Sequence, residues 1–277
     1  MTEQAVQEQI EQILRLDKQS ITPNIGGMAA YGTRFDVQRE YFRGLPPEEK
    51  RTYEEAVMAI CRMDDVEKAQ LGLYICSELA DLFAEDWRDR VADLVESLVE
   101  QGLPKAYHGA VSFAAIRLIR IFHIERLVPH VRDYLQDLIN AFKEESIRRT
   151  EFKTLLHEIS TTLMTVSPND FWSEFAAFCQ DRALMSSVEN DFSDLTYFWA
   201  SSGVRLHGLD WLRKLTTECS NIADKNTRSA AFQAIREEAR YVASASGEER
   251  EVDRFLKWSE EAFGAHDDGQ GWRRQSE

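Results

Sequence analysis

Residues 23–35 contain the pattern in this sequence that comes nearest to a nucleotide-binding loop. Gly27 and Gly32 are separated by four residues, as are the two glycines of a phosphate-binding loop, and Thr33 supplies a hydroxyl group after them. The lysine that would neutralise the terminal phosphates is missing, because Thr33 follows Gly32 directly. Such a loop also follows a strand, whereas residues 2–19 are rich in glutamine and glutamate and predict a helix. We therefore expect no nucleotide cofactor, and interpret residues 23–35 as a hinge or latch.

The sequence also lacks a complete motif for metal binding or for thiol catalysis. His157 and Glu158 begin like the helical motif of zinc proteases, but Thr161 stands where the second histidine should be. The cysteines are far apart: Cys61, Cys76, Cys179 and Cys219. Their spacing matches neither a zinc knuckle nor a dithiol redox motif, and is typical of reduced, buried thiols inside the cell. The sequence predicts no catalytic residue, no metal and no cofactor.

The charge of the chain is unevenly distributed. The formal net charge is −15, which repels nucleic acids and anionic lipids and attracts basic proteins. Residues 64–101, called the acidic segment below, contain eleven acidic and three basic residues. Residues 105–132 are instead predominantly basic. An acidic surface of this kind predicts electrostatic attraction of a basic protein partner.

Six charged residues are therefore candidates for partner binding. They are Asp81, Glu85, Asp86 and Asp89 in the acidic segment, and Arg117 and Arg120 in the basic segment. The two arginines are three residues apart and share one side of a predicted helix. They have two alternative roles: ion pairing with the acidic segment, or a cationic spot that receives a carboxylate or phosphate from a partner.

Aromatic residues are concentrated between residues 171 and 199, where eight of the 29 in the chain occur. Aromatic side chains fill protein cores and also anchor protein–protein interfaces. Phe171, Phe175 and Phe178 share one helical face, which predicts a core position. Trp172 and Trp199 fall off that face and are the better candidates for interface anchors.

Helical periodicity covers almost the whole chain. Val91, Leu94 and Val95 are typical of its apolar stripes, and no alternating run is long enough to predict a strand. The predicted helices pair as 47–63 with 65–83, 85–101 with 105–123, 126–145 with 149–165, 169–184 with 188–201, and 208–220 with 227–245. The second helices recur about every 40 residues, and in this period and pattern the chain resembles HEAT and armadillo repeats.

This resemblance implies an all-α fold, a right-handed stack of antiparallel helix pairs; a compact multi-helix bundle is the alternative. The predicted organisation is an N-terminal helix with a connector (1–44), a repeat domain (45–265) and a flexible tail (266–277). No run of residues is apolar enough for a membrane span, and the N-terminus predicts no targeting signal, so we expect a cytoplasmic location.

These observations favour a non-enzymatic module that binds a basic protein, as an inhibitor, an immunity-type protein or an adaptor. Two alternatives remain. One is a subunit of a structural assembly. The other is an enzyme similar to HEAT-type DNA glycosylases, which use tryptophans with an aspartate; here Trp87 and Trp211 lie beside aspartates, but the net charge makes nucleic acid an unlikely partner.

Overall fold

The fold is all-α. The structure, a computed structural model, describes residues 2–20, 35–100, 110–246 and 249–263, and these residues contain helices and turns without a strand. The chain divides into two compact units, Met1–Asp133 and Tyr134–Glu277. They are called the N-terminal and C-terminal units below, and each is described by itself.

The N-terminal unit begins with a long helix and continues as helix pairs. Its helices are α1 (Glu3–Ser20), α2 (Asp36–Gly44), α3 (Pro47–Cys61), α4 (Val66–Glu78), α5 (Trp87–Glu100) and α6 (Ala110–Phe122). Helix α7 (Val128–Lys143) follows a short 3-10 turn at Glu125–Leu127, and the division between the two units falls within it, after Asp133.

The C-terminal unit continues the pattern of helix pairs. Its helices are α8 (Arg149–Val166), α9 (Pro168–Gln180), α10 (Arg182–Val188), α11 (Phe192–His207), α12 (Leu209–Cys219), α13 (Lys225–Ser246) and α14 (Glu249–Phe263). Pro47 and Pro168 each lie in the first turn of their helix, where the missing N–H has no intrahelical partner to lose.

Second helices of successive pairs pack against each other within each unit. In the N-terminal unit α3 packs on α4, and α4 packs on α6, which also contacts α5. In the C-terminal unit α11 lies between α8 and α13. This is the neighbour relation of stacked helix pairs. A continuous solenoid over the whole chain stays a prediction, as do the boundaries at residues 44 and 265.

A buried polar chain joins the first three helices. The Tyr53 hydroxyl donates to Gln38 Oε1 (2.9 Å), and Gln38 Nε2 donates to the Ile13 carbonyl oxygen (3.0 Å). Tyr53 is completely buried and Gln38 is 1% exposed. Each of these polar groups has a hydrogen-bond partner. The series of hydrogen bonds therefore fixes α1, α2 and α3 in one arrangement without leaving a polar group of the series unpaired.

Each predicted helical segment contains a helix in the structure, with bounds that differ by up to six residues, and two further differences stand out. The predicted helix 169–184 is interrupted at Asp181, whose carboxylate accepts the Leu184 N–H (3.0 Å) and so starts α10. Helix α2 was not predicted, since residues 36–44 were interpreted as part of a connector. Of the residues interpreted as a hinge or latch, 23–34 lie outside the described residues; Phe35 lies 6.2 Å from Tyr74 of α4, measured between ring centroids.

Candidate functional site: the acidic segment and its arginines

Most carboxylates of the acidic segment are paired with basic side chains. Ion pairs hold six of them: Asp65, Glu78, Asp81, Asp86, Asp93 and Glu96. All but Asp65 pair with an arginine from a neighbouring part of the N-terminal unit. The segment is therefore much less negative at its surface than its sequence indicates.

Asp81 and Asp86 are each held by the two terminal nitrogens, Nη1 and Nη2, of one arginine. Arg39 donates to Asp81 at 2.9 and 2.7 Å, and Arg51 donates to Asp86 at 2.9 and 2.8 Å. These hydrogen bonds lower the pKa of both carboxyl groups below their ordinary value.

 Bidentate pairing also fixes the orientation of each carboxylate, so these two acids connect α2 and α3 to the turn before α5. We find them in internal contacts, and their predicted role in binding a partner stays untested.

Glu54 forms the buried centre of this ion-pair network. Its side chain is 3% exposed; Oε2 lies 3.1 Å from Arg51 and 3.4 Å from Arg90, and Oε1 accepts the Ala84 N–H (2.9 Å). A buried carboxylate is stable only when it is paired and hydrogen-bonded, and here both oxygens are. Glu54 is not among the residues predicted from the sequence, because nothing local distinguishes it from the exposed acids around it.

Glu54→Ala should destabilise the N-terminal unit by about 2–3 kcal/mol. This is less than the loss expected when a fully buried ion pair is broken, because Arg51 is about half exposed. Stability is lost because the Ala84 N–H and the Arg90 guanidinium stay buried after their shared acceptor has been removed. Urea denaturation followed by circular dichroism measures it. Glu55→Ala is the matched control: Glu55 also pairs with Arg90 (2.7 Å), but its side chain is 31% exposed, so we expect less than about 1 kcal/mol. Equal losses would contradict a special role for Glu54.

Arg117 pairs with the acidic segment, as one of its two predicted roles required. Its Nη2 lies 2.6 Å from Glu78 Oε1, and its guanidinium lies 6.0 Å from the centroid of the Tyr74 ring. Arg120 is half-buried on the same helix, α6. The pairing of Arg117 favours an internal role for this residue over a cationic spot for a ligand.

Several ion pairs connect residues that lie about 40 positions apart in the sequence. Arg39 and Asp81 are 42 residues apart, Arg117 and Glu78 are 39, and in the C-terminal unit Lys153 and Asp191 are 38. These separations match the predicted period of about 40 residues. Within each unit, these ion pairs thus join helices that lie about 40 residues apart in the chain.

Four acids of the segment remain exposed and form no ion pair with any residue that the structure describes: Asp64, Glu67, Glu85 and Asp89. They do not form one patch. The first two lie at the start of α4 and the other two beyond its end, and a helix of 13 residues is about 20 Å long. Of the predicted binding residues, Glu85 and Asp89 therefore offer the accessible negative charge.

Trp172 and Trp199 are both buried, with exposures of 8% and 2%. The rings of Trp172 and Trp211 are tilted against each other with 4.4 Å between their centroids, and Trp199 contacts Phe175 edge-on with a centroid separation of 5.0 Å. They belong to the same aromatic cluster as Phe171, which favours a core role over that of an interface anchor. Helical spacing placed them off the phenylalanine face, but packing from more than one side buries several faces of these helices.

The remaining candidates for chemistry also lie in structural positions. Trp87 and Trp211 are 1% and 3% exposed, as expected for tryptophans that pack between helices. The four cysteines are buried and free, and burial raises the pKa of Cys179 to about 12, which disfavours its nucleophilic thiolate. His157 is exposed and stacks on Phe198, with 3.3 Å between ring centroids. Across the described residues, no three His, Cys, Asp or Glu side chains are grouped to hold a metal ion.

Comparison of the chain with models of known protein families gave no match, and neither did comparison with curated proteins or with solved structures. Within the described part of the chain, no helix is both long and apolar enough to cross a membrane.

Proposed function

We propose that this protein is a non-enzymatic binding module that engages a basic protein, as an inhibitor, immunity-type protein or adaptor does. The observation that carries the proposal is the pair of exposed carboxylates at the start of α5, Glu85 and Asp89, on a chain of net charge −15. Long-range attraction depends on accessible charge that no internal cation neutralises, and these two residues meet that condition.

The mechanism is electrostatic steering. The negative field brings a basic partner to the N-terminal unit faster than diffusion alone, and short-range contacts then determine how long it stays. Asp81 and Asp86 contribute less to this field, because Arg39 and Arg51 neutralise them at contact distance. Steering should therefore depend on Glu85 and Asp89 more than on the other acids near them.

Affinity capture from the native host, followed by stopped-flow measurement of association at several salt concentrations, tests this proposal. We expect the captured protein to be basic, and the double variant Glu85→Lys/Asp89→Lys to slow association about tenfold at low salt. The effect should fade as salt rises and screens the charges. Since Asp89 lies in the first turn of α5, where a carboxylate favours the helix, circular dichroism must first show that the variant is folded.

Glu144→Lys/Glu145→Lys is the matched control. It changes the net charge by the same amount at two exposed acids near the end of α7. Association with this variant should stay within about twofold of the unmodified protein. Equal slowing by both double variants would show a non-specific effect of net charge, and capture of a partner that is not basic would contradict the proposed function.

A further inference from the structure

The surface formed by α11 and α13 combines exposed apolar side chains with a buried acid. Five large hydrophobic residues are exposed among the described residues, and three of them belong to these two helices: Tyr197, Leu206 and Tyr241. Their exposures are 43%, 45% and 57%. Helices α11 and α13 pack directly against each other. Leu206 lies nine residues after Tyr197 and so on the opposite side of α11, which leaves Tyr197 and Tyr241 as the exposed aromatic side chains of this surface.

Glu238 of α13 lies beside Tyr197 and is only 1% exposed. Three residues at four-residue spacing along α11 interact with its carboxyl group. Tyr197 and Ser201 hydrogen-bond to it, and Arg205 attracts it through its positive charge. Its Oε2 atom is nevertheless buried without a hydrogen-bond partner among the described residues. An unpaired buried carboxyl oxygen is costly, so a site that keeps one is suited to a ligand that supplies the missing donor.

Burial raises the pKa of Glu238, while Tyr197, Ser201 and Arg205 act in the opposite direction. The carboxyl group therefore lacks the stabilisation that the paired acids of the acidic segment have. A cation that approached Oε2 would supply both the opposite charge and the hydrogen bond.

We propose that the α11–α13 surface receives a lysine or arginine side chain of a basic protein partner, with Glu238 Oε2 as acceptor and Tyr197 and Tyr241 as aromatic walls. Tyrosine rings attract such cations through their faces, which makes them suitable walls. Tyr241 lies three residues after Glu238 and hence on the same side of α13. Arg205 is exposed and can turn aside on the nanosecond timescale to admit the incoming group. The inference deepens the proposed function, since it names where the C-terminal unit would hold a basic partner.

Fluorescence anisotropy with a labelled hexa-arginine peptide, at low salt and with the full chain, tests this site. Glu238→Gln should weaken binding about tenfold, because an amide cannot form the charge-assisted hydrogen bond. Tyr241→Ala should weaken it about threefold through loss of one aromatic wall.

The neighbouring acid provides the control. Glu237→Gln makes the same change of charge one residue away, at an exposed position that bonds to Gln233 of the same helix (3.1 Å). Binding should then change by less than about twofold. Equal weakening by Glu237→Gln and Glu238→Gln would mean general attraction to an acidic protein and overturn the proposal. No weakening by Glu238→Gln would also overturn it.

A purely structural role for Glu238 is separable from binding. If Glu238→Gln lowered the Tm and Tyr241→Ala left the affinity unchanged, the proposal would fail. If either variant dissociated an oligomer in sedimentation experiments, the occupant would be a second copy of this chain and the proposal would be wrong. The proposed function has its own outcome: a basic partner whose association needs Glu85 and Asp89 but not Glu238 would leave that function intact and remove only this site.

Discussion

Gly203→Ala should destabilise the C-terminal unit by about 3 kcal/mol or more, the largest loss that we expect from the addition of one methyl group. Gly203 lies where α11 and α12 meet. A Cβ atom there would approach the Trp211 indole nitrogen to 1.9 Å. The indole has little room to move, since Trp211 is 3% exposed and its Nε1 donates to the Trp199 carbonyl oxygen at 3.1 Å. The new methyl group would separate the two helices or break this hydrogen bond.

Urea denaturation followed by far-UV circular dichroism measures the effect, and the two units can give separate transitions. Gly44→Ala is the control, because a Cβ atom at Gly44, the last residue of α2, would have no neighbour within 4 Å. That change should be neutral or stabilising by up to about 1 kcal/mol, through a less flexible unfolded chain. An unchanged denaturation midpoint for Gly203→Ala would show that α11 and α12 do not approach each other this closely.

Trp199→Ala should cost the C-terminal unit about 3–5 kcal/mol, as the loss of a buried tryptophan usually does. Trp199 contacts Phe175, Phe178 and Phe192 with centroid separations of 5.0–5.9 Å. The same experiment separates the two roles that the sequence left open for this residue. An interface anchor would reduce partner binding and leave the denaturation midpoint unchanged, whereas a core residue lowers the midpoint.

Two further variants sharpen this measurement. Trp199→Phe should cost less than alanine, because it keeps most of the apolar contact and removes an indole N–H that is buried without a partner among the described residues. Leu206→Ala, on the same helix at 45% exposure, should stay within about 0.5–1 kcal/mol. A loss for Leu206→Ala as large as that for Trp199→Ala would contradict a core specific to the aromatic cluster.

The local sequence pattern predicted most helices, because each amphipathic stripe is long enough to be recognised without knowledge of the helices that pack against it. Helix α2 is the exception, since its nine residues are mostly polar. It is stabilised by tertiary contacts: Phe42 is 1% exposed against Tyr53 and Phe83, and Gln38 bonds to α1 and α3. Propensity is a weak guide for so short a segment, because packing rather than local pattern holds it in place.

The candidate site was harder to predict from the sequence than the helices were. The acidic segment is conspicuous in the sequence, but the arginines that neutralise it come from positions 30–42 residues away, such as Arg126 for Glu96 and Arg39 for Asp81. Glu238 shows the opposite case: it lies in an ordinary polar run of α13, and only its burial and its unpaired oxygen distinguish it. Neither property is encoded within a few residues of the position.

The sequence by itself determined the all-α class, the bounds of most helices, the repeat spacing and the net charge, since each depends on residue type and on spacing within one or two helical turns. The tertiary structure decided which charges remain accessible and which aromatic side chains are buried. Both depend on how helices about 40 residues apart in the chain pack side by side. The physical reason is that pairing and burial are properties of two surfaces in contact, and one sequence segment specifies only one of them.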